Sequence, residues 1–285
     1  MTKLLAVVLS MPVAASAAAV LPAAPRPDVF PVTERLLGDS VDPLSTLVVS
    51  GEDLRDSLNS VPAGEALERG LREHSEKARL AAVQAAAYPR NVAAVPHLNG
   101  VMLRIDQPAD LRAAAALALG RIGDRVAVPA LSEALKDPAP EVRFAAALSL
   151  GKLPADGVET RLERVLRYDP SWQTRYAAAI ALGRTRKAFA AAGLEDALAN
   201  DPDWQVRQQA ARSLQELGTE HAAAALQAAL NDPDPSVRAA AGIGLAEIGS
   251  AEQQLAVAQA VDGEPDPTVR TILASAARRA SVRAQ

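Results

Sequence analysis

The feature that most constrains the fold is an arginine that recurs about every 32 residues along most of the chain. Successive copies are 31 to 33 residues apart, and an acidic residue stands six positions before each of them. The arginines are Arg79, Arg112, Arg143, Arg175, Arg207, Arg238 and Arg270, and the acids are Glu73, Asp106, Asp137, Asp169, Asp201, Asp232 and Glu264. A chain with such a period stacks small structural units against one another, because one unit cannot bury its own apolar faces.

Each repeat has the signals of a helix that begins shortly before the arginine. Short polar side chains suited to accept the amides of a first helical turn, such as Ser171 and Asp234, stand four positions before it. Proline follows at Pro140 and Pro235, where its missing amide costs no helical hydrogen bond. An Asp-Pro pair ends the preceding helix, since proline disfavours helix in the residue before it. The repeat is therefore predicted to be a helical hairpin.

The composition favours an all-helical fold. Hydrophobic residues make up 49% of the chain and aromatic residues only 3%, and the apolar content is rich in alanine, the best helix former. Runs of the β-branched residues typical of strands are scarce. We predict an all-α fold, an α-solenoid (α–α superhelix) of about seven hairpins over residues 61–281, with a short tail at 282–285.

The regular phase of the acid and the arginine predicts a structural ladder between neighbouring repeats. Each acid would accept amides of its own turn and the guanidinium of the adjacent repeat. The residues assigned to this ladder are Asp106, Arg112, Asp137, Arg143, Asp169, Arg175, Asp201, Arg207, Asp232 and Arg238.

The N-terminus predicts export. Lys3 precedes an apolar run that ends near Val13, and small residues follow up to Ala17, so residues 1–17 have the order of a signal peptide. The run is shorter than a bilayer span requires, and we predict no membrane span in the mature chain. Prolines interrupt residues 18–60, which we interpret as a partly flexible leader. The mature protein is expected in the periplasm or the extracellular space.

The pattern Asp-Pro, Val-Arg, Ala-Ala, Leu-Gly resembles HEAT repeats, in particular the short repeats also found in phycobilin lyases. The best copies are 137–151, 169–183 and 232–248, and the pattern departs at Leu214-Gln215 and Ala277-Arg278. The resemblance implies a scaffold whose concave groove binds other macromolecules.

No catalytic residue, metal site or cofactor is predicted. The chain has no cysteine, and its three histidines, His74, His97 and His221, lie in different repeats. Deoxyhypusine hydroxylases, which are HEAT-like enzymes, hold iron with paired His-Glu motifs, whereas this chain has only a reversed Glu220-His221. These features favour a non-enzymatic protein, with an enzyme as the less favoured alternative.

Glycines at one phase of the repeat, Gly120, Gly151 and Gly183, indicate close helix packing rather than a phosphate-binding loop. No GxxxxGK[ST] or GxSxG motif is present.

Six of the eight aromatic residues fall between positions 144 and 204, and the overlapping stretch 152–187 holds eight basic residues against four acids. Tryptophan, tyrosine and arginine dominate binding hot spots, so this region is the predicted binding groove. Its residues are Phe144, Trp172, Tyr176, Trp204, Arg161, Arg164 and Arg167. The alternative is that the aromatic side chains only seal gaps between hairpins and the arginines only solvate a helix.

The expected partner is another protein or an extended peptide, bound by a scaffold module. A phycobilin-lyase-like or chaperone-like role in cofactor attachment is one alternative. Nucleic-acid binding, as in the HEAT-like alkylpurine DNA glycosylases, is another, and the formal charge of -4 disfavours it. The alanine-rich terminal hairpins could also stack end to end between copies.

Overall fold

The computed structural model describes residues 63–87, 91–153, 155–218 and 220–283, and this part of the chain contains helices and no strand. The predicted signal peptide and leader lie outside the described residues. The final helix extends to Arg283, into the region predicted as a tail.

The described residues fall into two compact units, which meet in the sequence between Ala155 and Asp156. The first unit contains α1 (Ala63–Leu71), α2 (Glu76–Ala86), α3 (Val95–Leu103), α4 (Ala109–Ile122), α5 (Val128–Ala134) and α6 (Pro140–Leu150). The second contains α7 (Val158–Tyr168), α8 (Trp172–Thr185), α9 (Ala191–Asn200), α10 (Trp204–Leu217), α11 (Glu220–Ala228), α12 (Pro235–Ile248), α13 (Ala251–Gly263) and α14 (Pro267–Arg283). Short 3-10 turns occur at Val92–Ala94, Arg125–Ala127, Ala188–Ala190 and Ala229–Asn231. These helices form seven hairpins, so the predicted all-α solenoid class is confirmed.

The two helices of each hairpin have different environments. We call the odd-numbered helices A helices and the even-numbered ones B helices. Within the first unit α2 packs on α4 and α4 on α6, and within the second α8, α10, α12 and α14 pack in sequence. The B helices carry runs of buried alanine, such as 113–116 and 177–179, and these small side chains allow adjacent helices to approach closely.

Arginine and acid side chains join consecutive B-helix turns within each unit. Arg112 donates from Nε to Oδ2 of Asp137 at 3.0 Å and from Nη2 to Oδ1 at 2.8 Å, and both side chains are almost fully buried. Oδ1 of Asp137 also accepts the amide of Ala139 at 2.8 Å. The equivalent bidentate pairs are Arg175–Asp201, Arg207–Asp232 and Arg238–Glu264. Each pair therefore ties one turn to the turn of the next hairpin.

The arginines also bind the backbone of their own turn. Arg143 donates to the carbonyl of Asp137 at 2.9 Å, and Arg175 donates to the carbonyl of Asp169 at 3.0 Å. The carboxylate of Asp169 accepts the amide of Ser171 at 2.9 Å. At the last pair, the hydrogen bond from Arg238 lowers the pKa of the Glu264 carboxyl.

Asp106 differs from the expected ladder role. Its exposed carboxylate accepts a hydrogen bond from Nη2 of Arg104 at 2.8 Å. Two residues after Asp106 stands Pro108. In the other turns the amide at this position holds the carboxylate, whereas proline has no N–H. Nε of Arg79, the arginine that the ladder would assign to Asp106, is buried with no hydrogen-bond partner among the described residues.

Among the described residues, three B helices end in a residue with the left-handed backbone conformation, and one of these residues is not glycine. Gly123 and Gly218 have φ values of 78° and 61°, whereas Arg186 has a φ of 51°. Arg186→Gly is expected to raise the free energy of unfolding by about 0.5–1 kcal/mol, because relief of Cβ crowding exceeds the added unfolded-state entropy. Thermal unfolding checks the gain. Arg186→Ala is the matched control, and an equal gain from it would show that loss of charge, not backbone relief, is the cause.

Candidate functional site

The B helices of the second unit leave one face open to solvent. On α8, the residues that are not buried are Trp172, Gln173, Tyr176, Arg184 and Thr185, and those at positions 172, 176 and 184 share one helical face. We call this surface the B face. Its residues are Trp172, Tyr176 and Arg184 on α8, Trp204, Arg212 and Glu216 on α10, and Ile243 and Glu247 on α12.

One end of the B face is aromatic. The rings of Trp172 and Tyr176 meet edge to face, with centroids 6.4 Å apart and an interplanar angle of 82°. Trp172 is the first residue of α8 and Trp204 the first residue of α10, and proline stands at the equivalent position of α12. Proline serves the same helix start, so the tryptophan side chains are not required to begin these helices.

The other end of the B face is charged. Desolvation raises the pKa of the Glu216 carboxyl and lowers that of the Arg184 guanidinium, and the attraction between the two charges opposes both shifts. Beside them, Nε2 of Gln215 donates to Oε2 of Glu247 at 2.5 Å. The B face thus offers aromatic surface at one end and charged hydrogen-bonding groups at the other.

Phe144 does not lie on an open surface. Phe144 is 3% exposed, although it occupies the repeat position of the partly exposed Tyr176. A phenylalanine ring has no polar group to keep in water, and its complete burial stabilises a fold by about 1.5–3 kcal/mol. Phe144 is therefore a core residue, which differs from its predicted place in the groove.

The three predicted arginines lie on a different surface from the tryptophans. Arg161, Arg164 and Arg167 are exposed on the A helix α7, and the last two line an open groove between α7 and α9. Neither Trp172 nor Trp204 lines that groove. The sequence predicted that the arginines and the tryptophans form one site. The structure instead places them on two different surfaces.

Two exposed aromatic residues of the groove were not among the predicted site residues. Tyr168 is 71% exposed and Phe189 is 63% exposed. A signal for Tyr168 was present, because other repeats have Lys136, Asn200 and Asn231 directly before the ladder acid. A position that is polar elsewhere in the array is a surface position, and a tyrosine there exposes its ring.

The described residues contain no group of three or more His, Asp and Glu side chains placed to hold a metal ion. His74 is exposed, and Nδ1 of the half-buried His97 lies 3.2 Å from Oε1 of Glu68. None of the helices in the described ranges is long and apolar enough to cross a bilayer.

The chain belongs to the HEAT repeat family. The sequence profile of HEAT repeats matches residues 100–183 and 191–278, which include α4, α6, α10 and α12. A comparison with curated proteins finds no match.

Several solved structures are similar to the chain. The complex of CpcE and CpcF of phycocyanin lyase from Nostoc sp. PCC7120 is 26% identical, with 76% of this chain and 86% of that chain covered and a TM-score of 0.48. Human deoxyhypusine hydroxylase in complex with glycerol is 24% identical, with coverage of 74% and 81% and a TM-score of 0.38. An engineered protein is 20% identical, with coverage of 65% and 95% and a TM-score of 0.46. One fold hosts many functions, so the function of this chain depends on the chemistry of its own surfaces.

Proposed function

We propose that this HEAT-repeat protein is a non-enzymatic binding module that holds an extended segment of another protein on the B face. The observation that supports this function is the position of Trp172, Tyr176 and Trp204, which are partly exposed on one face of the B helices. Rigid aromatic side chains with part of their surface still in water are the typical anchors of protein interfaces.

The two ends of the B face suit different parts of a peptide. At the aromatic end, the edge-to-face pair of Trp172 and Tyr176 offers apolar surface with little rotamer freedom to lose. At the charged end, Arg212 and Glu216 can pair with polar groups of the bound segment. Residues 1–17 predict a signal peptide, so the proposal includes a partner outside the cytoplasm.

A triple variant tests this function with residues that the array itself uses at the equivalent positions. The changes are Trp172→Pro and Trp204→Pro, as at Pro235, and Tyr176→Gln, as at Gln208. Because these replacements suit the helix start and the repeat, the variant is expected to fold like the wild type. In affinity capture from the exported fraction, the triple variant should recover at least about tenfold less of a partner that the wild type holds.

The matched control is Val126→Ser/Leu255→Ser, since both side chains are exposed and apolar and neither belongs to the B face or to the groove between α7 and α9. This control should retain the captured partner. Loss of the partner from the control and its retention by the triple variant would contradict the assignment to the B face.

Intrinsic fluorescence gives a second readout, because both tryptophans of the chain lie on the B face. Binding of the purified partner is expected to shift the tryptophan emission and to protect it from acrylamide quenching. A partner that binds tightly and leaves both properties unchanged does not occupy this face.

A further inference from the structure

An open groove of 620 Å³ lies between the neighbouring A helices α7 and α9 of the second unit. Its lining extends from Thr160 and Phe189, near the starts of the two helices, to Tyr168 and Asn200 at their ends. At 1.5 Å per residue, α7 is about 16 Å long, and the groove follows most of that length.

The groove exists because α9 presents small residues toward α7. Ala192, Gly193 and Ala197 all line it. A Cβ placed on Gly193 would stand 3.1 Å from Cγ of Glu163, so the side chain of α7 already reaches the floor at that point. The space above these small residues is left open.

A large aromatic side chain stands in solvent at each end of the groove. Phe189, 63% exposed, precedes α9, and Tyr168, 71% exposed, ends α7. Two exposed rings on one groove form an apolar surface that a partner can cover.

Two charged side chains of the groove, Glu163 and Arg164, have no ion pair among the described residues, and the exposed one is positive. Arg164 is exposed and has no ion pair among the described residues, whereas Arg167 pairs with Asp196 at 3.0 Å. At the deeper end, Asp201 is already bound by Arg175. Glu163 is half buried, and desolvation raises the pKa of its carboxyl. Arg164 is therefore the charged group positioned to receive a carboxylate from outside.

We propose that the groove between α7 and α9 is a second binding site, separate from the B face, for an extended acidic peptide segment. The segment places an apolar side chain against each of Phe189 and Tyr168, and a carboxylate between them on Arg164. An extended chain rises about 3.3 Å per residue, so side chains four residues apart span about 13 Å and point the same way. This spacing fits the length of the groove.

The test uses a labelled seven-residue peptide with phenylalanine at its second and sixth positions, glutamate at the fourth and alanine elsewhere. Fluorescence anisotropy should show saturable binding to the full chain, and a matched peptide with lysine in place of glutamate should bind at least about tenfold more weakly. Absence of saturable binding by the glutamate peptide, or equal binding of the two peptides, would overturn the proposal.

Variants assign the binding to the groove. Arg164→Glu should weaken binding of the glutamate peptide at least about tenfold and strengthen binding of the lysine peptide. The matched control is Arg161→Glu on the same helix, since Arg161 is exposed and does not line the groove. Equal losses in the two variants would indicate attraction by the general positive field of α7 and would overturn the site.

A blocking variant tests the same site without a change of charge. Ala192 is exposed on α9 and lines the groove, so Ala192→Leu should fold normally and fill the space. It should abolish peptide binding, and undiminished binding would overturn the proposal. Because both tryptophans lie on the B face, binding in the groove should leave tryptophan emission unchanged. A change in emission would place the peptide on the B face instead.

Discussion

Asp137→Ala is expected to lower the free energy of unfolding of the first unit by about 3–5 kcal/mol, because it removes one partner of a buried ion pair. Arg112 is 4% exposed, and its guanidinium donates two hydrogen bonds to the carboxylate of Asp137. The amide of Ala139 loses its acceptor in the same change. Urea unfolding followed by circular dichroism measures the loss, and hydrogen exchange of residues 109–122 locates it.

Asp106→Ala is the matched control for this prediction. Asp106 has the same phase in the repeat, but its carboxylate is exposed and its ion pair is with the exposed Arg104. Exposed pairs of this kind contribute little to stability, so the control should unfold like the wild type. If Asp137→Ala were equally harmless, the buried pair would not stabilise the stack, and the alanine core alone would hold the hairpins together.

The contrast between Asp137 and Asp106 shows how far the repeat pattern predicts the fold. Period, helix starts and the phase of acid and arginine were sufficient to predict the hairpins and their all-α class. The same phase could not distinguish the two acids, since the difference depends on whether residue i+2 offers an amide. Pro108 was visible in the sequence, and the acids were expected to accept amides of their own turns, but the pattern did not show that the amide of residue i+2 is the one that holds the carboxylate.

The candidate site was less predictable than the fold. Trp172 and Tyr176 share a helical face by spacing alone, and the structure brings their rings together. Arg164 and Arg167 are close to them in sequence, yet they lie on the A helix of the same hairpin and line another surface. Local charge counts do not separate the two helices of a hairpin, and helical spacing did not reveal that Phe144 is buried.

Gly120→Ala is expected to destabilise the first unit by about 1–3 kcal/mol, although alanine is the better helix former. A Cβ at this position would lie 2.6 Å from Cβ and 2.9 Å from Cα of Ser149 on the adjacent helix α6. Backbone cannot move aside as a flexible side chain can, so α4 and α6 would have to separate. The hydrogen bond from Oγ of Ser149 to the carbonyl of Ala116, 2.8 Å long, would be strained as well. The midpoint of urea unfolding measures the effect.

Gly100→Ala is the control, and it is expected to change the free energy of unfolding in the opposite direction. Gly100 lies within α3, and a Cβ there meets no atom within 4 Å. Alanine should therefore stabilise this helix by up to about 1 kcal/mol, the usual difference in helix propensity. Ser149→Gly, added to Gly120→Ala, should recover part of the loss, because it removes Oγ and Cβ of residue 149 and leaves only its Cα close to the new methyl group. Stabilisation by Gly120→Ala alone would mean that α4 and α6 are free to move apart, and the close approach of the B helices would then contribute nothing to stability.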